Sequence, residues 1–338
     1  MGDVAMTVPI IRAFVVQYPE VKITVVSRPF FKPFFDTIPN VNFFGVDLFN
    51  RHKGFLGLLR LFLDLKKLDI DAVADLHNVL RSKIVRKFFA VTGKKVAASN
   101  KGRADKKALI RAENKIFKPL KTMFSVHCDT FFNLGFDIHL SSKRFETNFP
   151  KKANISKKII SITGNKNEKW IGIAPFAQYE SKVYPQDLMQ ETINNLCKHN
   201  DYKILLFGGG KKEIEILNSI SKDHKNVLNI AGKITFQEEL DIISNLDLML
   251  SMDSGNAHLA AMLGVKVITL WGATHPFAGF LPFNQPIENA LVSDREKYPL
   301  LPTSIYGNKK VLGYQDVMRT ILPETIVNKI EKELNSSL

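Results

Sequence analysis

The sequence predicts an α/β protein built from two doubly wound domains in tandem, and three features of the 338-residue chain carry that expectation. Short apolar runs alternate with segments of helical periodicity, the pattern of a parallel sheet with crossover helices. The alternation stops in a polar, Lys/Asn/Ser-rich stretch at 141–168 and then restarts, which divides the chain at residue 150 into domains 1–150 and 151–338. In both halves polar residues follow directly on the apolar runs, where a doubly wound sheet offers its carboxyl edge to ligands.

In the first half, an amphipathic helix is expected over Val8 to Tyr18, with Pro9 in its first turn, followed by strand-like VKITVVS at 21–27. A helix of this kind ordinarily follows a strand with a glycine turn, so an opening strand of roughly ten residues is expected before Gly2 and is missing from this sequence. A strand over Val41 to Val46, a helix over Phe55 to Leu68, a strand at 71–77, a helix over Leu80 to Val91 and a short strand over Lys95 to Ala98 continue the pattern. Residues 100–123, basic and weakly patterned, read as a surface excursion with one helix, and His127 to Leu134 as a helix closed by Gly135.

The second half restarts with the strand WIGIAPFA (170–177), a helix from Pro185 to Cys197, the strand YKILLF running into Gly208-Gly209-Gly210, and a helix from Lys211 to Ile220. A short strand at 227–232 precedes Thr235 and Glu238, which are spaced as a capping box for a helix to Asn245. The most informative stretch is 246–276: an apolar run, Asp253-Ser254-Gly255, apolar residues at helical spacing, then a second apolar run from Val265. That is a strand, a tight turn, a short helix and a strand, with the first free N–H groups of the helix at the carboxyl edge of the sheet. A helix end of this kind is a ready anion site. A last helix begins at Pro323.

Composition narrows the class. Hydrophobic residues make up 45% and charged residues 24%, an ordinary globular balance. No apolar run reaches the roughly 18 residues of a membrane span, and no signal-peptide pattern opens the chain. Cys128 and Cys197 stand alone, with neither metal-ligand spacing nor a disulfide framework, which fits a reducing cytoplasm. The net charge of +14 is concentrated: residues 1–150 hold 25 Lys and Arg against 13 Asp and Glu, and the remainder 22 against 20. A field of that sign draws anionic partners. Nucleic acid is not the expected one, because no helix-turn-helix, zinc or single-strand-binding signature is present.

Five stretches fall on the carboxyl edges: Gly2-Asp3, Asp75 to Asn78 with Arg81, Pro175 to Lys182, the glycines leading to Glu213, and Asp253 to His258. Each alone has an ordinary structural reading, a solvated aspartate or a packed core histidine, and the glycine run lacks the lysine and hydroxyl spacing of a P-loop. Together the segments GDVAMTVPIIRAF (2–14), DAVADLHNVLRS (71–82), APFAQYESKVYP (174–185), FGGGKKE (207–213) and SMDSGNAHLAAMLGVKVITLWGATHP (251–276) resemble glycosyltransferase family 9, the lipopolysaccharide core heptosyltransferases, nearly end to end.

The resemblance implies the GT-B fold, two Rossmann-like domains facing a cleft, the first binding acceptor and the second the nucleotide sugar. It implies an inverting transfer of a heptose from ADP-heptose to a lipid A–core acceptor, with no cofactor and no metal. Asp3 matches the general base and Lys182 the lysine at the donor diphosphate. Asp253, Ser254, Gly255 and His258 match the donor-phosphate motif, Glu213 a ribose contact, and Gln178 stands on the donor loop. Asn78 and Arg81 fall on the acceptor side. The acceptor would place the protein on the cytoplasmic face of the inner membrane, where the segment 49–67 is a candidate for lying against the bilayer, unless its apolar residues are simply the buried stripe of a sheet-covering helix. Two departures stand out: the absent opening strand, and His275 where the family's Gly-x-Thr-Asp-Pro has an acid. The alternatives are a GT-B transferase for another sugar or acceptor, or an inactive nucleotide-binding homologue.

Overall fold

The computed structural model of the protein describes residues 1–140, 150, 152–198 and 202–335. These form two compact units, one of Asp3–Gly102 with Lys121–Phe149, the other of Arg103–Leu120 with Pro150–Leu338. The departure from a single cut at residue 150 has a physical reason. Arg103–Leu120, expected as a surface excursion, anchors Leu109 in a small apolar cluster with Ala278 and Ile305. Phe117 lies under the Arg295 guanidinium, 3.4 Å from its ring centre, and Lys106 sits 4.3 Å from the Phe280 ring. The anchors are too irregularly spaced to show a period.

The first unit runs α1 (Gly2–Ala5), α2 (Val8–Gln17), β1 (Ile23–Ser27), β2 (Val41–Gly45), α3 (Gly54–Lys66), β3 (Ala72–Asp75), α4 (Leu80–Val91), β4 (Lys95–Ala98) and, after α5 (Arg103–Ile110) of the other unit, α6 (Met123–Phe132). β1 pairs with β2 and β3 with β4, both parallel, as two separate two-stranded sheets. No strand joins the pairs among the described residues, and most of the side chains on these strands are only half buried.

α3 is seated on α4. Leu58, Leu61, Phe62 and Leu65 are buried against Val85 and Phe89 of α4. Before its first turn, Arg51 donates twice to Asp64, each bond at 2.8 Å, and the buried His52 holds the same carboxylate at 3.2 Å. The helix passes so close to that turn that a Cβ on Gly57 would lie 2.2 Å from the His52 carbonyl carbon.

The second unit continues with α7 (Lys157–Thr163), β5 (Lys169–Ala174), α8 (Gln186–Leu196), β6 (Tyr202–Leu206), α9 (Lys211–Ser221), β7 (Val227–Asn229), α10 (Phe236–Ser244), β8 (Leu248–Met252), α11 (Gly255–Met262), β9 (Val267–Trp271), β10 (Ala290–Val292) and α12 (Pro323–Asn335). Its six parallel strands stand in the order β10-β9-β8-β5-β6-β7. The topological switch point therefore lies between β5 and β8, where Ile173 faces Leu250. β8 and β9 are buried at every residue, which explains why their sequences are apolar except for Ser251 and Thr269. The capping box forms as expected: Thr235 Oγ1 accepts from Glu238 N at 3.3 Å, and Glu238 Oε2 from Thr235 N at 2.7 Å.

Gly57→Ala is expected to destabilise the protein by roughly 1–3 kcal/mol, because the added methyl meets backbone rather than a movable side chain. An unchanged thermal midpoint would show that α3 is not held this closely.

Candidate active site

In the second unit three strand ends meet. The loop after β5 closes in a 3-10 turn at Glu180–Lys182, β8 ends just before Asp253, and β9 leads to Thr274. Lys182 Nζ donates to Asp253 Oδ2 at 3.2 Å, with only 12% and 10% of the two side chains exposed. The same oxygen accepts from the buried Thr274 hydroxyl at 2.8 Å. β5 and β8 are the neighbours at the switch point, so the sheet order itself brings the lysine to the aspartate.

Two glycines make room for this. Ala273 N donates to Ser181 O at 3.1 Å, and a Cβ on Gly272 would stand 2.5 Å from that oxygen. Gly307, at φ +85°, lies against the Lys182 stem, where a Cβ would be 2.6 Å from Cγ. Ser181 Oγ ties the turn to Gly307 O at 2.6 Å. The lysine is thus clamped along its stem and free to act only at its tip.

α11 starts immediately after Asp253. Ser254 occupies its N-cap position, but the side chain makes no capping bond and contacts Ser251 Oγ at 3.1 Å instead. The first amides of α11 therefore open beside the Lys182–Asp253 pair, with the dipole's positive end there. Gly255 begins the helix, and His258 is buried in its first turn. Glu213 Oε2 accepts from Gly209 N at 2.8 Å, so this carboxylate braces the glycine turn. Gln178 is exposed on the loop after β5. The structure brings Lys182, Asp253, Ser254, Gly255 and His258 together. Thr274, Ser181, Gly272 and Gly307 complete the arrangement; sequence reasoning gave them no role, although Gly272 and Thr274 lie inside a matching motif.

In the first unit the loop after β3 is built by Asp75. Its Oδ1 accepts from Asn78 N at 2.7 Å, and its Oδ2 lies 3.3 Å from Arg86 Nη1. Asn78 adopts φ 46°, a left-handed turn that asparagine tolerates, and its amide donates to Ser99 O at 2.8 Å. The Asn78 side-chain nitrogen thus helps to shape this edge. Behind it, Ser99 Oγ bonds to Thr130 Oγ1 at 2.9 Å and to the buried His127 at 3.1 Å; burial draws the His127 imidazole down to about 4. Arg81 is exposed on the first turn of α4. Asp3 is exposed on α1 and lies 3.7 Å from His77 Nε2. Burial lowers His77, with Asp3 acting against it. His77 was missed as a site residue; its signal was its place two residues beyond the end of β3. Among the described residues no group of three or more His, Cys, Asp or Glu is arranged to hold a metal, and no helix is long and apolar enough to cross a membrane.

The model of glycosyltransferase family 9 (heptosyltransferase) matches residues 58–304. The chain belongs to glycosyltransferase family 9. It is accordingly a glycosyltransferase enzyme. Its similarity to the lipopolysaccharide core heptosyltransferase OpsX of Haemophilus influenzae is 24% identity, covering 98% of this chain and 94% of that one. With lipopolysaccharide heptosyltransferase 1 of Campylobacter coli it shares 25% identity over 84% and 82%. Solved members show the same GT-B fold of Rossmann-like units. Against the E. coli ADP-heptose lps heptosyltransferase II the TM-score is 0.64 at 19% identity, over 99% and 96% of the chains. Against the family 9 glycosyl transferase of Veillonella parvula it is 0.73 at 17%, over 99% and 94%.

Within this family 9 chain the departure at His275 has a structural account. His275 Nδ1 accepts from Phe277 N at 3.1 Å, doing the N-capping that an aspartate would do. Its ring lies edge-on to Phe117 and Phe277, with centroids 5.0 and 4.5 Å away. Burial, helped by Arg295, pulls His275 from 6.5 down to about 4, so the cap stays neutral beside the guanidinium. A folded value below the unfolded one means that the stabilisation is complete above about pH 6.5 and is lost as pH falls toward 4. His127 acts in the same direction. The thermal midpoint should therefore decline on acidification through this window, and His275→Asn, which keeps a capping oxygen but does not titrate, should flatten part of the decline. An identical profile in that variant would remove His275 as a cause.

Proposed function

We propose that the chain transfers a heptose from a nucleoside-diphosphate sugar, ADP-heptose, to a lipopolysaccharide core acceptor, with inversion and without a metal. The observation that carries the donor half is the Lys182–Asp253 pair at the switch point, seated at the start of α11. Departure of the nucleoside diphosphate builds negative charge on the phosphate. A diphosphate competes with Asp253 for the lysine, and the α11 amides add their dipoles. Thr274 still holds Asp253 when the lysine changes partner. Charge stabilisation by fixed cations and amides serves the leaving group without a Lewis acid.

Asp3 is the proposed base of the first unit. It takes the proton from the acceptor hydroxyl as that oxygen bonds to the anomeric carbon and the sugar–phosphate bond breaks. His77, 3.7 Å away, orients the carboxylate. Arg81 meets acidic groups on the acceptor, and the net positive first half suits an anionic lipid-linked partner at the cytoplasmic face of the inner membrane. The names of the relatives support heptose as the sugar and lipopolysaccharide core as the acceptor.

The test is diphosphate release from a panel of nucleotide sugars in the presence of a deacylated core acceptor. ADP-heptose should be the productive donor, and turnover with a different sugar alone would replace this reading. Lys182→Ala should raise the donor KM and lower kcat by about 10²–10³. Asp3→Asn should cost about 10²–10⁴ in kcat while leaving nucleotide binding intact. Wild-type turnover in either variant would end that residue's assignment.

A further inference from the structure

α3 is apolar on two sides. At about 3.6 residues per turn, Leu58, Leu61, Phe62 and Leu65 occupy the side buried on the core. Leu56, Leu59 and Leu63 project from the opposite side and are 67%, 37% and 49% exposed, while Phe55, 63% exposed, stands at the edge against Phe88 of α4. Phe49, in the loop leading to the helix, is 80% exposed. A helix covering a sheet needs one apolar stripe; a second stripe in water has no folding purpose and marks an interaction surface.

The rim of this stripe identifies the partner. Lys53, Arg60, Lys66 and Lys67 flank it, all exposed. The one acidic residue of the helix, Asp64, is turned aside and bound by Arg51 and His52. An outward face of leucine and phenylalanine bordered by cations complements a bilayer, with its apolar interior and anionic headgroups. A water-soluble partner helix would find the apolar stripe, but nothing in it would account for cations on both flanks.

We infer that the outer face of α3 is the surface by which this enzyme docks on an anionic lipid bilayer, the side chains of Leu56, Leu59 and Leu63 entering between headgroups that Arg60, Lys66 and Lys67 contact. This inference rests on the lipid-linked acceptor reading for its purpose, but vesicle binding measures it without any transfer.

The experiment is co-flotation of the full chain with vesicles of equimolar phosphatidylglycerol and phosphatidylcholine, and with vesicles of phosphatidylcholine alone. The wild type should float with the anionic vesicles and much less with the neutral ones. The combined variant Leu56→Ser, Leu59→Ser, Leu63→Ser should lose at least about tenfold in partitioning, since each leucine gives up several buried methylenes. These side chains are exposed, so the variant should keep the wild-type thermal midpoint. Arg60→Glu with Lys67→Glu should weaken anionic binding and its salt dependence together. Asp3→Asn protein should float as the wild type does, so a failure of the catalytic reading leaves this result standing. The inference is overturned if the wild type does not bind anionic vesicles, or if the triple-serine variant binds them equally. It is also overturned if sedimentation shows those serines breaking a dimer while flotation is unchanged, which would make the face a contact between two copies.

Discussion

The second unit is arranged around one carboxylate. Asp253 accepts from Lys182 and from Thr274 on the same oxygen, and each of the three residues stands in the loop that follows a different strand. That convergence follows from the order β9-β8-β5, which no local sequence feature specifies. An ion pair with both side chains about nine-tenths buried contributes little net stability, since desolvation offsets most of the attraction. Removing one partner, however, leaves an uncompensated charge. Such a pair is therefore well suited to a site where an arriving anion takes over the lysine while a hydroxyl remains to hold the aspartate.

Much of this was legible in the residues. The mostly apolar runs of β8 and β9, the capping box at Thr235 and Glu238, and Asp253-Ser254-Gly255 before an apolar helix all located their elements within a few residues, because burial on both faces leaves a plain signature. What was not legible depends on contacts remote in sequence. Gly272 and Gly307 look like ordinary loop glycines until the Ser181 carbonyl and the Lys182 stem are placed against them. That the Asn78 side-chain nitrogen would bond to Ser99 O could not be read from the sequence either, since the two lie on different strand ends. Ser254 stands at the N-cap position of α11, and its hydroxyl turns to Ser251 rather than capping the helix. Arg103–Leu120 gave no periodic signal because its anchors are irregularly spaced: Leu109 is held by Ala278 and Ile305, and Phe117 by His275, Phe277 and Arg295, rather than along one face.

The two units achieve burial differently. In the second, β5 is paired on both edges, and every residue after Lys169 is buried. In the first, each strand pairs on one edge only among the described residues, and its side chains stay half exposed. Packing there comes instead from helices: Leu58, Leu61, Phe62 and Leu65 of α3 against Val85 and Phe89 of α4, with Arg51 and His52 fixing Asp64 at the rim. A helix held this way on its inner side can carry a second apolar face outward without losing its seat.

The same distinction orders the positive charge. Lys182 acts at contact distance, in a largely buried place where an ammonium interacts strongly with the one anion that reaches it. The excess Lys and Arg of the first half lie mostly at the surface, where salt screens each to about 10 Å and where only their sum is felt. A sum of that kind cannot select an atom, so it says nothing about which bond breaks; it raises the frequency with which an anionic surface is met. Charge of one sign thus falls into two groups, separated by burial: the many exposed cations of the first half, and one clamped lysine beside Asp253 in the second unit.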